Sequence, residues 1–120
     1  MIRDVQATNG GAISVPMSAR VWAGIDAEID NVVSLAAVGG DEEAVRVGSA
    51  IREAGWDQVP WVDGQWPPFG QTITITLTRA QWRFALAADA KSIPIYEELG
   101  DHESAGLARA AIAVVSPYLN

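Results

Sequence analysis

Three tryptophans at five-residue spacing, Trp56, Trp61 and Trp66, with Phe69 close behind, are the side chains best suited to recognition in this sequence. They lie in WDQVPWVDGQWPPFG, residues 56–70, beside Asp57 and Asp63 and among three prolines and an Asp63-Gly64 turn signal. Aromatic rings on an irregular, proline-stiffened loop bring contact area at low entropic cost. They can stack on a sugar, a base or a proline-rich peptide. The same rings could equally cover the open edge of a helical layer. Trp56, Trp61, Trp66, Phe69, Asp57 and Asp63 are therefore the candidate partner-binding residues.

Other chemistry is sparse. His102 is the only histidine, and Asp101 or Glu103 could raise its basicity. Its place beside Gly100 reads more simply as an exposed turn residue at a helix start. Glu97, Glu98, Asp101 and Glu103 form one acidic cluster, and Asp41, Glu42 and Glu43 another. Such carboxylates can bind a hard divalent cation, but they also suit helix capping and the helix dipole. The sequence contains no P-loop, dinucleotide glycine pattern or HExxH zinc motif. Cysteine is absent, which removes disulfides, thiolate metal sites and cysteine nucleophiles together. The expectation is a protein with no catalytic residues, no metal and no cofactor.

At 120 residues the chain fits one domain, and 49% hydrophobic content argues against wholesale disorder. Net charge is −7 and both halves are acidic, so the cluster of cations needed to grip a phosphate backbone is missing. A protein partner of basic character is expected, with no nucleic acid. No apolar run is long enough to cross a bilayer, and MIRDVQATNGG has no hydrophobic segment of a secretory signal. A cytoplasmic location is expected, with no membrane contact, as a monomer or homodimer.

The elements that position these residues centre on QTITITLTRAQW, residues 71–82. Ile73, Ile75 and Leu77 alternate with threonines, the period of a half-buried strand. Thr78 followed by Gln81 predicts a reciprocal helix cap, and Trp82 is the first large apolar residue of the helix. Earlier, Ile2–Ala7 and Ala12–Met17 read as a hairpin turning at Asn9-Gly10-Gly11, with Pro16 fit only for an edge. Ser18 caps a helix whose apolar face is Trp22, Ile25, Ile29, Val32, Val33 and Ala36, leaving Asp26, Glu28 and Asp30 on other positions. Gly39-Gly40 ends it. Asp41 caps a second helix with an unusually small apolar stripe, including Gly48 and Gly55, which predicts a close helix–helix seam. Val59–Val62 reads as a short strand. Pro94 predicts a break near Ser92, and Gly100-Asp101 starts a last helix apolar on most sides.

Placed sixty residues apart, the landmarks coincide. Ile13 meets Ile73, Ser18 meets Thr78, Trp22 meets Trp82, and Gly40-Asp41 meets Gly100-Asp101. The predicted fold is α+β, a tandem ββαα repeat of residues 1–60 and 61–120 within one domain. Its antiparallel sheet is covered by four helices. The order strand, helix, glycine turn, helix over Ile13–Gly55 and Ile73–Val115 resembles ribbon-helix-helix DNA-binding proteins, which implies a DNA-reading ribbon. This ribbon, however, offers Ser14, Pro16, Thr74 and Thr76 and no arginine. Through LTRAQW and GDHESA the chain also resembles small uncharacterised proteins of actinobacteria and their phages. The arginine and alanine bias of a GC-rich genome agrees with such a source.

The expected function is a non-enzymatic acidic protein-binding module of the antitoxin, immunity or phage anti-defence kind. The alternative is a ribbon-helix-helix-like transcriptional regulator.

Overall fold

The computed structural model describes residues 11–120. Strand β1 (Ala12–Ser18) leads into helices α1 (Ala19–Gly39) and α2 (Glu42–Gln58). Strand β2 (Thr72–Thr78) leads into α3 (Arg79–Glu98) and α4 (His102–Val115), and a 3-10 turn (Ser116–Leu119) follows. The two strands form an antiparallel ribbon whose register runs from Ala12 opposite Thr78, through Val15 opposite Ile75, to Ser18 opposite Thr72. The class is α+β: among the described residues there are one two-stranded antiparallel sheet and four α-helices.

Within the described residues the ββαα order is not met. The expected strand at Ile2–Ala7 lies outside them. Val59–Val62 forms no strand: Val62 and Gln65 exchange two backbone hydrogen bonds of 3.0 Å around Asp63-Gly64. Asp63 and Gly64 have φ of 51° and 76°, the left-handed pair that a two-residue hairpin turn requires. Pro60 removes a donor from the segment, and so short a stretch ends as a single bridge.

Alternation in the strands sets the layers. Val15, Met17, Ile73, Ile75 and Leu77 face the helices and are buried, while Ala12, Ser14, Pro16, Thr72 and Thr74 are exposed on the opposite face. Pro16 is tolerated because of its register. It pairs with Thr74, two residues along from Ser14–Thr76, and the backbone of Thr76 points away from β1 to the Gln58 side chain. The missing donor of Pro16 therefore also points away from the ladder.

Four side chains start the helices. Ser18 Oγ accepts from the Val21 N–H at 3.2 Å. Thr78 Oγ1 accepts from the Gln81 N–H at 3.1 Å, while Gln81 Oε1 accepts from the Thr78 N–H at 2.9 Å, the reciprocal cap that their spacing predicts. Asp41 and Asp101 each accept, at 3.1 Å, from the backbone three residues on. The preceding Gly40 and Gly100 have φ of 81° and 75° and stop α1 and α3 in the left-handed conformation.

The core forms where α1 and α3 cross the ribbon. Trp22 and Trp82 are fully buried there. The close seam between α1 and α2 is present: a Cβ on Gly55 would overlap the Trp22 indole, and one on Gly48 would lie 2.5 Å from Val33 Cγ2. Two helices differ from expectation. α3 is continuous through Pro94, because Ala90 and Pro94 are both exposed and the carbonyl left without a donor can be hydrated. α4 is buried on one stripe only, at Ala105, Ala108, Ala111 and Val115; its remaining alanines are small enough to face water at little cost.

Candidate functional site

The tryptophans are brought together. Trp56 belongs to the last turn of α2 rather than to a loop. The Trp61 indole N–H donates to the Trp56 carbonyl at 2.9 Å, folding the chain back on the helix end. Ring centroids are 5.3 Å apart for Trp56–Trp61 and 4.6 Å for Trp61–Trp66, each pair tilted by 54°. Within this stack the roles divide. Trp61 and Trp66 are half-buried against the core, whereas Trp56 is 51% exposed. Beside Trp56 lies a surface depression of about 340 Å³ formed with Arg52, Glu53 and Asp57. Phe69 is 49% exposed but sits outside the stack, its carbonyl accepting from the Arg20 N–H at the start of α1. Asp63 is exposed in the hairpin turn.

Arg52 is held in place from α1. Its guanidinium donates to both oxygens of Asp26, at 3.1 and 3.3 Å, and to Asp30 at 2.9 Å. Asp26, assigned from sequence to the polar positions of α1, is buried by this fork.

His102 is 79% exposed and pairs with Glu97 at 3.2 Å. The neighbours that could have activated it are engaged elsewhere: Asp101 caps α4 and Glu103 pairs with Arg20 at 2.7 Å. Glu97 also pairs with Arg109 at 2.6 Å, so two carboxylates of this acidic cluster, Glu97 and Glu103, are held by arginines. Hydrogen bonding to Arg109, and then to His102, lowers the pKa of Glu97; the Ser104 hydroxyl and N–H lower that of Asp101. Among the described residues no group of three or more His, Cys, Asp or Glu is placed to hold a metal ion.

The structure assembles one polar centre that the sequence reading missed. Glu28 of α1 is buried, and its two oxygens accept from Ser92 Oγ at 2.5 Å and from the Tyr96 hydroxyl at 2.7 Å, both on α3. Asp89, one turn before Ser92, is 2% exposed, and its Oδ2 has no hydrogen-bond partner. The two carboxylates line a cleft of about 130 Å³ with Gly24, Ala27, Tyr96 and Leu107. Burial, reinforced by the Glu28 charge, pushes the Asp89 carboxyl up to about 7. Burial and the bond to Glu28 push the Tyr96 phenol up to about 12. A signal was present in the sequence. Asp89 falls seven residues after Trp82 and four after Ala85, on the apolar stripe of α3, and Glu28 falls three after Ile25 on that of α1.

The exposed face of the ribbon carries no charge. Ser14 and Thr76 hydroxyls bond across it at 2.7 Å, and no arginine or lysine occurs in either strand. Among the described residues no helix is long and apolar enough to cross a membrane. No protein-family model, curated protein or solved structure matches the chain.

Proposed function

We propose that this protein is a non-enzymatic binding module that captures a protein partner through Trp56, acting in the cytoplasm without a cofactor. The observation that carries the reading is the division within the tryptophan stack. Trp61 and Trp66 give up exposure to the core and hold Trp56 half in water beside Glu53 and Asp57. An exposed indole flanked by carboxylates fits a lysine or arginine side chain, which can lie over the ring while its charge meets the acids. With a net charge of −7, attraction to a basic partner is also favoured at long range. An antitoxin, immunity or anti-defence role in an actinobacterium or its phage is the biological form of this reading.

The test is to compare Trp56→Ala with wild type for thermal midpoint and for stoichiometric capture of a basic partner from the source cell. We expect the midpoint to move by no more than a few degrees while capture is lost. Unimpaired capture by Trp56→Ala would sink the reading.

A second reading has its own support. The order strand, helix, helix, strand, helix, helix, with the strands paired as a ribbon, is what two ribbon-helix-helix units fused in one chain would give. Gly40 and Gly100, Asp41 and Asp101, and Trp22 and Trp82 play matching parts sixty residues apart, which favours an origin by duplication. Such a regulator would bind duplex DNA with steep salt dependence. The uncharged ribbon face opposes this, and a mobility-shift titration at low salt is expected to show no specific complex.

A further inference from the structure

The orphaned oxygen of Asp89 marks a second place on this molecule that calls for a ligand. Protonation would remove the charge of Asp89 but would not supply Oδ2 with a partner, and a buried polar atom left unpaired is costly. The cleft beside it is far larger than one water needs. Its polar atoms are almost all acceptors. Glu28 has already taken one hydrogen bond on each oxygen and retains a lone pair on each, and the Tyr96 hydroxyl spends its proton on Glu28 and keeps its own lone pairs. The Ser104 hydroxyl is turned away to Asp101, at 2.7 Å. Ala27, Leu107 and Ala108 supply apolar walls, and Leu107 rests where a side chain on Gly24 would otherwise stand.

We propose that this cleft binds a primary ammonium group, with Asp89, Glu28 and Tyr96 accepting its three N–H bonds and the apolar walls enclosing its alkyl stem. An ammonium offers three donors and no acceptor, which matches the acceptors available. Among the described residues no third carboxylate or histidine joins Glu28 and Asp89 to hold a metal ion. No cation among the described residues pairs with Glu28 or Asp89, and a bound ammonium would balance their charge. The groups facing Asp89 are Glu28 from α1, Tyr96 on its own helix and the uncharged Ser104, Leu107 and Ala108 from α4. Lys91 points into a neighbouring, exposed groove. Because Asp89 holds its proton up to about pH 7, binding should release a proton below that pH and tighten as pH rises.

The experiment is calorimetric titration and thermal melting with n-butylammonium chloride, and with tetramethylammonium chloride as the control lacking N–H donors, at matched ionic strength. A third arm uses N-acetyl-lysine methylamide, which presents the same ammonium on a peptide backbone. At pH 8 butylammonium should bind saturably and raise the thermal midpoint. Affinity should fall about tenfold or more at pH 5.5, and tetramethylammonium should have no such effect. Asp89→Asn should keep its circular dichroism spectrum and lose the response; Glu28→Gln should weaken it. Response to the lysine amide alone assigns the ammonium to a lysine side chain, and response to both assigns it to free amines; either supports the site. Equal shifts from butylammonium and tetramethylammonium, an undiminished response in Asp89→Asn, or no saturable response in any arm would overturn it. The cleft would then hold water only.

Discussion

Trp22 and Trp82 meet edge to face, 6.2 Å between ring centroids and 84° between planes, yet only Trp82 has an acceptor for its indole N–H. Trp82 Nε1 donates to the Ile13 carbonyl at 2.9 Å, tying α3 to β1. The Trp22 N–H is buried with nothing to receive it. Replacing either residue by phenylalanine removes similar volume, but Trp82→Phe also loses the hydrogen bond to Ile13, while Trp22→Phe removes an unsatisfied donor. Trp82→Phe is expected to cost more than Trp22→Phe, by about 1–3 kcal/mol in urea unfolding. Equal losses would mean that the bond to Ile13 contributes nothing.

Two glycines in helices should respond with opposite signs. A Cβ on Gly55 would overlap the Trp22 ring, so Gly55→Ala must push the indole aside and should destabilise by about 1–3 kcal/mol. Gly106 in α4 is exposed and has no atom within 4 Å of the place a Cβ would take. Gly106→Ala should stabilise by about 0.5–1 kcal/mol through helix propensity alone. Thermal melts of the two variants provide the check.

Asp89 should make folding stability fall as pH rises. In the folded protein it keeps its proton to about pH 7, whereas the unfolded chain releases it near its ordinary value of 3.8. Stability is therefore full below that ordinary value and is lost between about pH 4 and 7, at a slope approaching 1.4 kcal/mol per pH unit. Glu97 and Asp101, both lowered, act the other way: their contribution is present above the ordinary carboxylate range and lost as pH falls through it. Denaturant titrations in amine-free buffer from pH 4.5 to 7.5 should show the decline in wild type and a flat profile in Asp89→Asn. A decline retained in that variant would place its origin elsewhere.

The features legible in sequence were those fixed by local chemistry. Alternation at Ile73, Ile75 and Leu77 gave β2, hydroxyl and carboxyl caps gave all four helix starts, and Gly48 and Gly55 gave the helix seam. Val59–Val62 misled because two valines and a tryptophan look like a strand, though nothing in their spacing supplies a neighbour to pair with. Among the candidate binding residues, five-residue spacing revealed a cluster but could not tell the exposed Trp56 from the buried side of its stack, which depends on where α2 ends. Glu28 and Asp89 were hidden for a different reason. Each shows only as an acid on the apolar stripe of its own helix, and the pair exists only because α1 and α3 pack together, sixty-one residues apart in sequence.

Gln58 has a consequence for how the molecule behaves in a crowded solution. Its side chain accepts from the Thr76 N–H at 2.6 Å and donates to the Thr76 carbonyl at 2.8 Å, the two bonds an added strand would make there. Across the ribbon, outward-facing Pro16 has no N–H to offer a newcomer. A two-stranded sheet has only edges, and each is an invitation to edge-to-edge polymerisation. Among the described residues one edge is already answered by an amide side chain and the other lacks a donor at Pro16, so an incoming strand meets a weakened template on either side.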